Sequence, residues 1–108
     1  MSRMSRDGKS LVHRGMEQPV GMFFEITGHV QGVGMRAHVQ RTALTIGIVG
    51  WVRNDEGGSV VGWAEGASMN LKRFLVALKP GPSGARIDAV ESMDGPPKGM
   101  FTNFEIRK

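Results

Sequence analysis

Apolar and polar positions alternate over Met22-Phe23-Phe24-Glu25-Ile26-Thr27. A period of two predicts a strand with Met22, Phe24 and Ile26 on one face and Phe23, Glu25 and Thr27 on the other. The period then lengthens. Met35, Val39, Ala43 and Ile46 recur at helical spacing, so a helix is predicted over 35–46 with Gly47 as its C-cap. Strand patterns return at 48–54 and 59–65, joined by Asp55-Glu56-Gly57-Gly58, which reads as a hairpin loop. Trp51 and Trp63 fall in these two strands and can share a face. Ala67, Leu71, Phe74, Leu75 and Leu78 give the cleanest helical stripe, with Ser68 as the expected N-cap and Lys79-Pro80-Gly81 as the stop. A strand over 85–93 follows. Its apolar residues Ile87 and Val90 break alternation, which predicts a bulge. Residues 100–107 close as a strand with Phe104 and Ile106 toward the core.

The order strand, helix, strand, strand, helix, strand, plus a terminal strand, predicts an α+β chain. The expected architecture is a ferredoxin-like βαββαβ sandwich, with a mostly antiparallel sheet, two helices on one face and an extra C-terminal strand. Residues 1–20 lack periodicity and read as a flexible extension. Residues 21–108 are the predicted domain, and 108 residues suit one core.

Composition narrows the function classes. There are no cysteines, so disulfides, thiolate chemistry and cysteine-ligated zinc are excluded. His13, His29 and His38 show no ligand spacing, and no metal or cofactor is expected. Asp88 and Glu91, three apart on a strand, face opposite sides and do not make a catalytic carboxylate pair. No apolar stretch is long enough to span a bilayer, and the N-terminus lacks the apolar core of a signal peptide. A cytoplasmic monomer without a membrane partner is the expectation. The formal net charge of +4 favours anionic partners, but the charge is not concentrated in any one patch of the sequence.

Two places carry more than packing requires. One is the turn Gly28-His29-Val30-Gln31-Gly32-Val33-Gly34-Met35-Arg36, between the first strand and the first helix. Its glycines let the backbone curl and aim successive N–H groups inward, and the helix start adds unpaired N–H groups and a partial positive charge. A tight junction favours glycine for structural reasons alone, so the turn by itself reads either way. Arg36 stands in the first helical turn, where the dipole disfavours a cation and a bound anion would explain one. The turn lacks both the Gly-Lys-Ser/Thr of a P-loop and the spacing of a dinucleotide fingerprint. It fits a terminal phosphate or carboxylate. The other place is Asn54 at a strand end, a turn-former on its own but also able to orient a water.

The turn Gly28–Arg36 resembles the first signature of the acylphosphatase family. Gly50-Trp51-Val52-Arg53-Asn54-Asp55-Glu56-Gly57-Gly58-Ser59-Val60, ending at Gly66, resembles the second. Both occur in order over about residues 21–108. The resemblance implies a hydrolase that cleaves the carboxyl–phosphate bond of acyl phosphates to a carboxylate and inorganic phosphate, without a metal. It also implies that Arg36 and the backbone of Val30, Gln31, Gly32, Val33, Gly34 and Met35 hold the phosphoryl oxygens, and that Asn54 positions the attacking water. Three positions depart from the common pattern: His29 for arginine, Asp55 for threonine and Met35 for phenylalanine. Asp55 is expected to point into the hairpin, because a carboxylate beside an anion site is unfavourable. The alternative is a non-enzymatic RNA- or anion-binding module on the same fold. Basic charge, Trp51, Trp63 and Phe101 favour it, but no strand clusters aromatics as RNA-recognition strands do, so no nucleic acid partner is expected.

Overall fold

The computed structural model describes residues 18–108. Most of the expected extension, residues 1–17, thus lies outside the described residues. Seven elements follow in the expected order: β1 (Val20–His29), α1 (Met35–Ile46), β2 (Val49–Asn54), β3 (Val60–Gly66), α2 (Ser68–Leu78), β4 (Arg86–Gly95) and β5 (Phe104–Arg107). β1 begins at Val20, one residue inside the segment assigned to the extension. The strands form one sheet in the order β4-β1-β3-β2-β5, antiparallel except for the parallel pairing of β2 with β5.

The alternation in β1 decides which face the helices cover. Met22, Phe24 and Ile26 are at most 2% exposed, whereas Phe23 is 39% exposed on the opposite face. α1 contributes Met35, Val39 and Ala43 to the buried layer, and α2 contributes Leu71, Phe74 and Leu78. The Phe74 ring meets Phe24 edge-on at 5.4 Å and Phe104 at 6.1 Å, tying β1, α2 and β5 into one core. The bulge inferred from Ile87 and Val90 is present. Thr27 pairs with Ala89 and Gly28 with Ile87, leaving Asp88 as the extra residue. Both Ile87 and Val90 thereby turn toward the core.

Two local expectations are corrected. Ser68 is the first helical residue and not the N-cap. Ala67 occupies the cap with extended backbone, and its carbonyl accepts from the Leu71 N–H at 3.0 Å. β5 is shorter than expected, beginning at Phe104 and not at Met100. The N–H groups of Lys98 and Gly99 donate to the Glu65 carboxylate at 2.7 and 3.3 Å, and pairing with β2 starts only where the Gly50 N–H reaches the Asn103 carbonyl at 2.9 Å. Trp51 and Trp63 are cross-strand partners on the helix-free face, as their positions suggested.

Glu65 is 3% exposed and fastens that loop. Burial alone would push its carboxyl up. The Trp63 indole N–H, the two backbone N–H groups and the Lys98 ammonium outweigh burial and hold it below the ordinary carboxylate value. A carboxyl lowered on folding stabilises the fold above its unfolded value, and that contribution is lost as pH falls through the folded value. Glu65→Ala strands three donors and should cost about 2–4 kcal/mol, lowering Tm by roughly 10 °C or more. Glu65→Gln should flatten the acid limb of stability, read from thermal melts between about pH 3 and about pH 7.

Candidate active site

The chain leaves β1 at His29 and enters α1 at Met35, so the turn between them must reverse direction within five residues. Gly32 and Gly34 meet this demand with φ of +76° and +81°, a region that L side chains rarely adopt. Gly34 is the N-cap of α1 and offers no side chain to the helix start. The His38 N–H is the first to bond back, to the Gly34 carbonyl at 3.0 Å. The N–H groups of Met35, Arg36 and Ala37 precede it and have no carbonyl one turn back. No acidic residue stands in the first turn. Backbone donors, the positive helix end and the Arg36 guanidinium therefore coincide without a neutralising carboxylate on that turn.

Two ties bring this turn to the β2–β3 hairpin, and a third joins it to β5. The Gln31 carboxamide nitrogen donates to the Asp55 carbonyl at 2.7 Å and to the Ser59 carbonyl at 2.9 Å, clamping the turn to both sides of the hairpin mouth. The sheet register sets Ile26 opposite Val60, and Val60 opposite Asn54. From the far side, Arg36 Nη1 donates to the Arg107 carbonyl at 3.2 Å, so β5 fixes the guanidinium. The result is a cleft of about 190 Å³ lined by Val30, Gly32, Gly34, Met35, Arg36, Ala37, Asn54 and Ile106.

The cleft gathers Arg36 and Asn54 with four of the six other residues assigned to phosphate binding. Gln31 and Val33 are not among its walls. Gln31 is turned to the hairpin, and Val33 is half-buried against the core. Ala37 and Ile106 are walls that sequence reading left out. Ala37 follows Arg36 in the same half-buried helical turn, a signal available from the pattern. Ile106 shares the helix-side face with Phe104 as expected, but it lies beyond the helices' cover and is 42% exposed against 2% for Phe104.

Asp55 points away from the cleft. Its carboxylate accepts from Arg53 Nη1 at 3.3 Å and from the Gly57 N–H at 3.4 Å. The exposed ion pair contributes little stability, but with the Gly57 bond it keeps the carboxylate on the hairpin side. His29 is solvent-exposed at the end of β1. The Asn54 carboxamide makes no hydrogen bond among the described residues, which leaves its oxygen and nitrogen for water or ligand.

A larger groove, about 440 Å³, lies on the helix-free face beside Phe23, Glu25, Glu91 and Met93. Glu25 and Glu91 are direct cross-strand partners, and two facing carboxylates repel an anion. That charge disfavours an anion in this larger groove, whereas the smaller cleft combines Arg36 with free backbone N–H groups. Among the described residues no cluster of histidine and carboxylate side chains has the makings of a metal site, and no helix is long and apolar enough to cross a membrane.

Known proteins agree with this assignment of the fold. The acylphosphatase family profile matches residues 22–106. An acylphosphatase of Synechococcus sp. strain RCC307 is 43% identical over 106 residues, covering 97% of this chain and 88% of its own. One from Syntrophotalea carbinolica is 36% identical, covering 83% of this chain and 98% of its own. The crystal structure of acylphosphatase from Bacillus subtilis superposes with a TM-score of 0.79 at 29% identity, over 82% of this chain and 99% of that one.

Proposed function

Because this chain belongs to the acylphosphatase family, and with it to the acyl-phosphate hydrolases, we propose that Arg36 and the backbone N–H groups of the Val30–Met35 turn cradle the phosphoryl oxygens while Asn54 positions the attacking water. The observation that carries this reading is the common cleft: the curled turn, the arginine and the asparagine line one small space although they come from two separate stretches of sequence.

The chemistry asks for little more. The water oxygen attacks phosphorus in line with the bond to the acyl oxygen. That P–O bond breaks, and its electron pair leaves on a carboxylate. A dianionic acyl phosphate plus water gives a carboxylate and dihydrogen phosphate, so both protons of the water end on the phosphate. A carboxylate leaves readily, and the main demands are alignment and stabilisation of charge on the equatorial oxygens. Oriented amides and a guanidinium supply that charge in advance of reaction. With Asp55 turned out, the substrate phosphoryl group itself takes the water's proton.

Action as a monomer is part of this reading. The cysteine-free composition supports a cytoplasmic setting. The segment before β1 is read as an extension outside the catalytic domain. The purified protein should hydrolyse benzoyl phosphate in the presence of EDTA, with inorganic phosphate as a competitive inhibitor. Absence of hydrolysis, or its loss on chelation, would refute the proposal.

A further inference from the structure

We propose that Ile106 sets the acyl preference of this site, and that the enzyme favours acyl phosphates with bulky apolar or aromatic acyl groups over acetyl phosphate. This inference rests on reading the cleft as the phosphoryl site.

The size of the cleft comes first. At about 190 Å³ it falls below the roughly 300–1,000 Å³ of pockets that enclose a whole small ligand. The curled turn, Arg36 and Asn54 occupy its polar part, so a bound phosphoryl group takes that space and the acyl group must extend past the rim. What the acyl group touches is then decided by which apolar walls are accessible. Val30 and Met35 are each 1% exposed and shape the floor without offering surface to a ligand. Ile106 is 42% exposed. Among the described residues it is the one exposed large apolar side chain that borders the cleft; Leu44, Met69, Val76, Met93 and Met100 lie elsewhere.

Its position is fixed from two sides. β5 pairs in parallel with β2, placing Ile106 opposite Val52 and Arg107 opposite Arg53. The next residue, Arg107, accepts the Arg36 guanidinium on its carbonyl. An acyl phosphate held by Arg36 is therefore held beside Ile106. Such a contact rewards apolar acyl surface and gives a one-carbon acyl tail little to gain. It also gives the exposed isoleucine a partner, because a bound apolar acyl group removes it from water.

The test is the ratio of kcat/KM for benzoyl phosphate to that for acetyl phosphate, in wild type, Ile106→Ala and Ile106→Leu. The ratio should fall about fivefold in Ile106→Ala, as expected for loss of a partly buried apolar contact, and recover in Ile106→Leu. A thermal melt checks that each variant folds, and Ile106→Val, expected to show a smaller fall of the same sign, serves if the alanine variant does not. An unchanged ratio overturns the assignment, including the case where both substrates lose activity equally, which would make Ile106 a support for Arg36 through β5. Inorganic phosphate inhibition of the wild type separates the two readings. If phosphate fails to compete, the phosphoryl site itself is wrong; if it competes while the ratio stays unchanged, only the role of Ile106 falls.

Discussion

Arg36→Ala should reduce kcat/KM for benzoyl phosphate by about a thousandfold or more, the scale on which a guanidinium that neutralises a transferring phosphoryl group acts. The cleft offers no second cation to take its place: its other walls are Val30, Gly32, Gly34, Met35, Ala37, Asn54 and Ile106. Arg36→Lys should recover little, because an ammonium lacks the planar fork that two phosphoryl oxygens match. The loss should not come from unfolding. Arg36 is half-buried and bonds the rest of the protein through the Arg107 carbonyl, an exposed contact worth about 1 kcal/mol at most. A melting temperature within a few degrees of wild type, beside nearly complete loss of turnover, is the expected pair of results. Steady-state kinetics with a thermal melt on the same preparation checks both.

Asn54→Ala should act on a different step. On the proposed reading the carboxamide holds the water, and removing it leaves the backbone donors and Arg36 intact. We expect kcat to fall by about a hundredfold while inhibition by inorganic phosphate changes less than about threefold. Asn54→Asp keeps the shape but sets a carboxylate against a bound dianion, so phosphate affinity should fall along with turnover. The contrast between these two variants separates water positioning from phosphate binding at one position. It also bears on Asp55, whose carboxylate sits one residue away but is held by Arg53 and the Gly57 N–H on the hairpin side.

The fold was legible where a single periodicity governs a whole element. α1 spans Met35–Ile46 with Gly47 as its left-handed cap, as the stripe of Met35, Val39, Ala43 and Ile46 implied. The bulge in β4 could be read from two apolar residues spaced three apart. Legibility failed where the outcome depends on what lies over a residue. Alternation places Phe104 and Ile106 on one face, but only the extent of the helices above decides that one is buried and the other exposed. It failed again for Gln31. A motif can nominate it beside a phosphate, yet nothing local shows its side chain reaching the carbonyls of Asp55 and Ser59 across the hairpin mouth. Glu65 is a third case. A charged residue at a strand position reads as solvated, and its burial follows from a loop more than thirty residues later that brings two N–H groups and an ammonium to it.

The distribution of work within the site follows from these placements. Backbone geometry at Gly32 and Gly34 shapes the proposed anion seat, Gln31 holds that turn against the hairpin, and β5 holds Arg36. Asn54 enters from the other stretch of sequence and faces the seat without a protein partner for its amide among the described residues. In the proposed division, Arg36 with the turn binds the phosphoryl group, and Asn54 serves the water. Calorimetric titration of inorganic phosphate into wild type, Asn54→Ala and Arg36→Ala tests it most directly. Wild type and Asn54→Ala should bind phosphate within about threefold of each other, and Arg36→Ala about a hundredfold more weakly or not at all. Phosphate binding by Arg36→Ala at wild-type strength would overturn that division.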